Sequence, residues 1–170
     1  KKIVVAVSGG PDSLALVAFT RTLQKEKKLK AFFVLIDHQI RKNSYKEAIL
    51  VKKLLSKKGI PLTVLKNKKK IEKNIQSKAR EVRYKLLADF CKKKHSTHLL
   101  TAHHSDDQIE TFLIRLSRGS GVQGLSSMKK ATLLNNRIVL LRPLLDHKKK
   151  ELIYVAKKTF GKFFKDPSNT

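Results

Sequence analysis

The sequence predicts an α/β fold: a doubly wound, mainly parallel sheet with helices on both faces. Three observations carry this expectation. Short apolar runs recur at residues 3–7, 31–36, 61–65 and 97–102, as in strands buried on both sides. Longer stretches with helical spacing of apolar residues lie between them. The turn Ser8-Gly9-Gly10-Pro11-Asp12-Ser13 joins the first run to the first such stretch, at the strand end where parallel sheets bind ligands.

The elements come in this order. Strand 3–7 leads through the glycine turn into a helix over 13–27. Strand 31–36 ends at Asp37-His38, and an amphipathic helix over 44–58 is stopped by Gly59. Strand 61–65 runs into the charged stretch KNKKK, 66–70, and then a long helix over 72–94. Strand 97–102 precedes a helix over 106–118, in which Ile109, Phe112, Leu113 and Leu116 recur at helical spacing and predict its buried face. The pattern then changes. Runs 131–134 and 137–141 flank Asn135-Asn136 and predict a hairpin. A last helix over 146–160 has Asp146 as its expected N-cap.

Composition narrows the class. A chain of 170 residues supports one domain with a core, which at 41% hydrophobic but only 6% aromatic is aliphatic. No apolar run approaches the roughly 20 residues that span a bilayer, and Lys1-Lys2 leads straight into a strand, so the expected location is cytoplasmic, with no membrane partner. The single cysteine, Cys91, excludes an internal disulfide and a four-cysteine metal site. A net charge of +26, from 39 basic and 13 acidic residues, predicts a polyanionic partner, RNA or DNA. With only 8 arginines among those bases, part of the excess reads as a lysine bias.

The turn at residues 8–13 is built for a phosphate. Gly9 and Gly10 permit positive φ and close backbone approach. The following helix directs its free N–H groups and positive dipole end into the turn, and Ser8 and Ser13 add hydroxyls. The Gly-Lys-Ser/Thr ending of a Walker loop is absent. Asp12 beside a phosphate implies a bridging cation, Mg²⁺. A second constellation comes after the fourth strand, in His103-His104-Ser105-Asp106-Asp107-Gln108-Ile109-Glu110. Asp107 and Glu110 lie one helical turn apart and could hold Mg²⁺ or an ammonium group; the plainer alternative is a solvated, acid-rich helix start. Adjacent His103 and His104 make a poor zinc pair, since neighbours on a helix diverge.

The loop resembles the Ser-Gly-Gly-x-Asp-Ser signature of the ATP pyrophosphatase (PP-loop) superfamily, which has an adenine nucleotide alpha hydrolase-like fold and cleaves ATP between its α and β phosphates. Within it, AHHSDDQIETFLIRLSRGSGVQGLSSM (102–128), DHQIRKNS (37–44), AREVRYKLL (79–87) and DPSN (166–169) resemble, in the same order, the tRNA(Ile)-lysidine synthetase family. One departure is Gln39, where the family often has glycine after Asp-His.

The resemblance implies an ATP-dependent ligase. It would adenylate the C2 oxygen of the wobble cytidine in tRNA(Ile) with a CAU anticodon, releasing pyrophosphate, and the ε-amine of free L-lysine would then attack C2 and expel AMP. Ser8, Gly9, Gly10, Pro11, Asp12 and Ser13, with His38 and His103, would bind the nucleotide. Asp37, Arg83, Asp107 and Glu110 would be catalytic, and Asp12, Asp107 and Glu110 would hold Mg²⁺. Residues 1–170 would be the catalytic domain, with tRNA-recognition domains beyond. A thiolation enzyme of the same superfamily is the alternative, disfavoured by the single cysteine; a non-catalytic RNA-binding module is the other. Arg80 shares a helix side with Arg83 and Tyr84, and Arg142 reads as structural or close to a phosphate.

Overall fold

The computed structural model describes residues 1–40, 43–67, 74–119 and 127–164. Its strands are β1 (Lys2–Val7), β2 (Lys30–Asp37), β3 (Leu62–Lys66), β4 (His98–Leu100), β5 (Ala131–Leu134) and β6 (Ile138–Leu141). Its helices are α1 (Pro11–Glu26), α2 (Ser44–Ser56), α3 (Ile75–Lys94), α4 (Ser105–Ser117) and α5 (Lys149–Phe160). The strands form one six-stranded sheet in the order β3-β2-β1-β4-β6-β5. All neighbours are parallel except β5, which pairs antiparallel with β6.

The strands are buried because both sheet faces are covered. Ile3, Val5 and Val7 face one side with Leu14, Val17, Val51, Leu55, Leu152 and Phe160 of α1, α2 and α5. Val4 and Leu99 face the other with Leu87, Ala88 and Cys91 of α3. The chain turns from β1 outward through β2 to β3, then returns past β1 to β4. The reversal lies between β1 and β4, which makes the crevice beyond their carboxyl ends the topological switch point.

Several boundaries move for identifiable reasons. Helix α1 starts at Pro11, not residue 13, because proline's fixed φ suits the first helical position and Gly10 caps it in extended geometry. Strand β4 is only three residues long, and α3 is described from Ile75; the expected start at residue 72 lies outside the described residues. The expected N-cap Asp146 is corrected: α5 starts after Lys148, whose backbone N–H donates to Glu151 Oε2 at 2.9 Å, while Asp146 pairs with Lys130. Asn135 and Asn136 both take positive φ, as the hairpin turn requires.

The apolar face expected for α4 is also corrected. None of its residues is buried, and Ile109 is 61% and Leu113 55% exposed. Topology explains this. Helices α1, α2 and α3 each carry the chain from the carboxyl edge of the sheet back to its amino edge, so they must lie along a face. Strand β5 runs antiparallel to β6 and makes that return journey itself. Helix α4 begins at the carboxyl edge and leads to a strand that starts at the same edge, so nothing requires it to cross the sheet.

Candidate active site

Four strand ends and the first half of α3 meet at the carboxyl edge. Beyond β1, the loop folds around the Ser13 hydroxyl. The backbone N–H groups of Ser8 and Gly9 donate to Ser13 Oγ at 3.1 and 3.0 Å, and that hydroxyl donates to Gly10 O at 3.0 Å. Gly10 N–H reaches Ser8 Oγ at 3.4 Å. A buried serine oxygen thus sits in a nest of amides and shapes it, so Ser13 acts on the loop's form as well as offering a hydroxyl. Pro11 has no N–H, so Asp12 and Ser13 supply the first free amides of α1.

Gly9 is irreplaceable on two counts. Its φ is +90°, and a Cβ there would stand 2.5 Å from Val51 Cγ2 on α2. The loop has a contact that the sequence did not suggest: Phe164 N–H donates to Gly9 O at 3.0 Å, which sets Phe164 beside both glycines. The next segment, including 166–169, lies outside the described residues.

Beyond β2, Asp37 is 2% exposed. Its Oδ1 accepts from Gln39 N at 3.0 Å and Ser44 Oγ at 2.7 Å, a turn cap, while Oδ2 is buried and has no hydrogen-bond partner among the described residues. Gln39 takes φ +54°, the left-handed geometry in which glycine is least strained. Arg83 Nε donates to His38 Nε2 at 3.3 Å, joining α3 to β2. Since arginine only donates, the neutral His38 carries its proton on Nδ1. Burial, with the Arg83 charge, lowers the His38 pKa against the opposing pull of Asp37.

Beyond β4, His103 and His104 diverge. His103 Nδ1 lies 3.0 Å from Thr101 Oγ1. Burial pushes its pKa down to about 4; Asp107 opposes this, and Arg142, Arg80 and Arg83 add to it. His104 caps α4: its Nδ1 accepts from Asp106 N at 3.2 Å, and its own N–H donates to Asp107 Oδ2 at 2.7 Å. Its Nε2 faces Asp12 Oδ2 and Asp107 Oδ2, each at 3.6 Å. Contact with the Asp12 carboxylate raises its pKa, burial opposes, and the charges of Asp107, Asp12 and Asp106 add to the rise.

The structure therefore brings Asp12 and Asp107 together through a histidine whose role the sequence left open. Glu110 is exposed one turn further along α4. Beyond β6, Arg142 is 8% exposed and fastens the hairpin, its Nη1 donating to Lys129 O at 2.8 Å and Thr132 Oγ1 at 2.9 Å. Arg80 is exposed on α3 and lies over the Tyr84 ring, 5.2 Å from its centroid.

Among the described residues, no group of three or more His, Cys, Asp or Glu side chains is arranged to hold a metal. The donors present still suit Mg²⁺, which takes one or two carboxylates and completes its shell with phosphate oxygens and water. Asp12 Oδ1 is buried with no hydrogen-bond partner among the described residues, an acceptor such a cation would satisfy.

Residues 1–170 match the PP-loop domain family. The chain belongs to that family. The turn at residues 8–13 lies at the switch point of that domain's sheet. Over 99% of its length the chain is 44% identical to tRNA(Ile)-lysidine synthase of Wolbachia pipientis, covering 39% of that protein. Over 98% it is 43% identical to tRNA(Ile)-lysidine synthase of Rhodopseudomonas palustris, covering 49% of it. The chain thus spans less than half the length of these curated relatives. Among solved structures, the U34-tRNA thiolase NcsA of Methanococcus maripaludis superposes with a TM-score of 0.82 at 18% identity, over 98% of this chain and 58% of that one. That likeness gives the PP-loop fold and no more. No helix among the described residues is long and apolar enough to cross a membrane.

Proposed function

We propose that this PP-loop domain is the catalytic domain of a tRNA(Ile)-lysidine synthetase acting in the cytoplasm. It would use ATP to adenylate the C2 oxygen of the wobble cytidine of CAU-anticodon tRNA(Ile), releasing pyrophosphate, and let the ε-amine of free L-lysine attack C2 and expel AMP. The observation that carries the reading is the convergence of the PP-loop, Asp12 and Asp107 at one crevice, in a chain about 40% identical to lysidine synthases along nearly its whole length.

In this reading the loop holds the β and γ phosphates that leave as pyrophosphate. Its amide nest and the start of α1 supply fixed positive ends where negative charge accumulates. Asp12 and Asp107, with Glu110, would hold Mg²⁺, which neutralises phosphate charge when bound. Arg83 stands at the rim and stabilises charge on the α phosphorus. His38, whose pKa burial and then Arg83 lower, and His103, held neutral by burial, would lie on the nucleotide's side. Asp37, with one buried oxygen unpaired among the described residues, would accept a proton from the attacking ε-amine or orient the nucleotide. Glu110, exposed one turn along α4, would share in that cation or instead meet the lysine ammonium. Selection among tRNAs is assigned to parts of the full-length proteins beyond the matched region.

Cys91 speaks against a sulfur-transfer reading. It is fully buried in α3, and burial pushes its thiol up to about 11, so it is not a thiolate at neutral pH. The test is incubation of the full-length protein with CAU tRNA, ATP and labelled lysine. Label should enter the RNA with release of AMP and pyrophosphate. Asp12→Ala should cut transfer by at least about 100-fold, while Cys91→Ala transfers normally. No transfer by the wild-type protein would overturn the reading.

A further inference from the structure

His104 is the feature of this crevice whose geometry goes furthest beyond its helix-capping role. It is 4% exposed, and its two ring nitrogens address different elements. Nδ1 accepts the Asp106 amide at 3.2 Å. A backbone N–H can only donate, so the neutral ring carries its proton on Nε2. That N–H stands 3.6 Å from Asp12 Oδ2 on the first turn of α1 and 3.6 Å from Asp107 Oδ2 on the first turn of α4. Both separations are slightly beyond hydrogen-bond length, and they are equal, so the donor is shared between two helices.

Two features show what this arrangement does. Carboxylates from separate helices repel when brought to one point, and a donor between them offsets that cost. Asp12 also keeps Oδ1 buried, with no hydrogen-bond partner among the described residues, so the pair retains acceptor capacity after His104 is counted. A ring whose Nδ1 is occupied and whose Nε2 is protonated has no lone pair for a metal, so His104 is no ligand. Its effect passes through the carboxylates, as outer groups orient metal-binding carboxylates elsewhere.

We propose that His104 is the positioning residue that locks Asp12 of the PP-loop helix and Asp107 of α4 into one cation-holding pair. The inference rests on the reading of those two aspartates as cation ligands. It also ties the loop physically to α4, so the second constellation would sense the state of the first.

The two functions of the ring can be separated. Asparagine at 104 keeps an acceptor near the Nδ1 position, hence the cap, but is too short to reach Asp12. Glutamine reaches the Nε2 position with an N–H but gives up the cap. Mn²⁺ binding to the full-length protein, followed by electron paramagnetic resonance with and without ATP, is the readout, with circular dichroism checking the fold. His104→Asn should weaken Mn²⁺ binding about tenfold or more, a loss of ~1.4 kcal/mol, while His104→Gln stays within about threefold of wild type. The reverse order, glutamine weak and asparagine normal, would reduce His104 to a helix cap and overturn the proposal; so would two normal variants, or two equally weak ones. Absence of Mn²⁺ binding by the wild-type protein would count against the cation reading of Asp12 and Asp107 itself, a separate failure.

Discussion

Helices α1 and α4 both begin at the carboxyl edge of the sheet, both carry acids in their first turn, and both show helical apolar spacing. Yet α1 buries Leu14, Ala15, Leu16 and Val17, and α4 buries nothing. The difference lies in the direction of the strand after each helix. After α1 the next strand is parallel to β1, so the helix must run back along the sheet and lie on it. After α4 the next described strand runs antiparallel to its neighbour, so α4 need not cross the face. Both helices nevertheless meet at their starts, where Asp12 and Asp107 share His104. Apolar spacing reports the period of an element; burial depends on the path of the chain.

The sharpest test sets one leucine from each helix side by side. Leu14→Ala should cost about 3 kcal/mol in urea or thermal unfolding, because Leu14 is fully buried and leaves a cavity. Leu113→Ala on α4 should stay within about 0.5 kcal/mol. Equal costs would break the comparison, since α4 would then be packed against something in solution.

The next largest effect belongs to the loop that starts α1. Gly9→Ala should destabilise by about 2 kcal/mol, from left-handed strain and the clash with Val51 together. Measured against Val51→Ala alone, the double variant should regain only part of the Gly9→Ala loss, because removing the clash leaves the backbone strain. Full recovery would mean that space alone requires the glycine.

The entry to α4 should reveal itself in pH dependence. His103 has a folded pKa depressed from 6.5 to about 4, chiefly by burial, with Asp107 opposing and Arg142, Arg80 and Arg83 assisting. Its contribution to stability is fully present above pH 6.5. It is lost as pH falls through about 4, because the unfolded chain takes up the proton first. His38 is lowered in the same sense. His104 runs the other way: its raised pKa favours the fold below pH 6.5, and that gain fades as pH rises through the raised value. Between pH 6.5 and 4 one such proton changes stability by at most about 1.4 kcal/mol per pH unit. His103→Asn should flatten the acid limb, and an unchanged limb would assign it to other groups.

The smallest effect lies between these regions, at the end of β2. Gln39 holds φ +54° without being glycine. Gln39→Gly should raise stability by up to about 1 kcal/mol, a small upward shift in Tm. A neutral result would mean that the cap from Asp37 Oδ1 to the Gln39 amide already offsets the strain.

The alternation of buried runs and helical stretches was enough to read the sheet and the helices that cross it. Ser-Gly-Gly-x-Asp-Ser was enough to locate the loop, because positive φ, close approach and a helix start are demands local sequence alone can meet. Asp37, Asp107 and the Arg83 side of α3 were visible as residues at strand ends and helix starts. Less visible were contacts between distant segments. The contact of Phe164 with Gly9 joins residues far apart in the chain, and no local pattern encodes it. Asp146 looked like a cap but found Lys130 instead, and His104 looked like one of several unassigned histidines.

Residue order alone thus specifies periodic and local features: buried strands, helix starts, a glycine-shaped turn and a strongly basic composition. Packing of distant segments settles which apolar stripe is covered and which carboxylates meet. Those outcomes depend on strand order and direction, and a stripe or an acid carries no information about the partner that the path of the chain will bring to it.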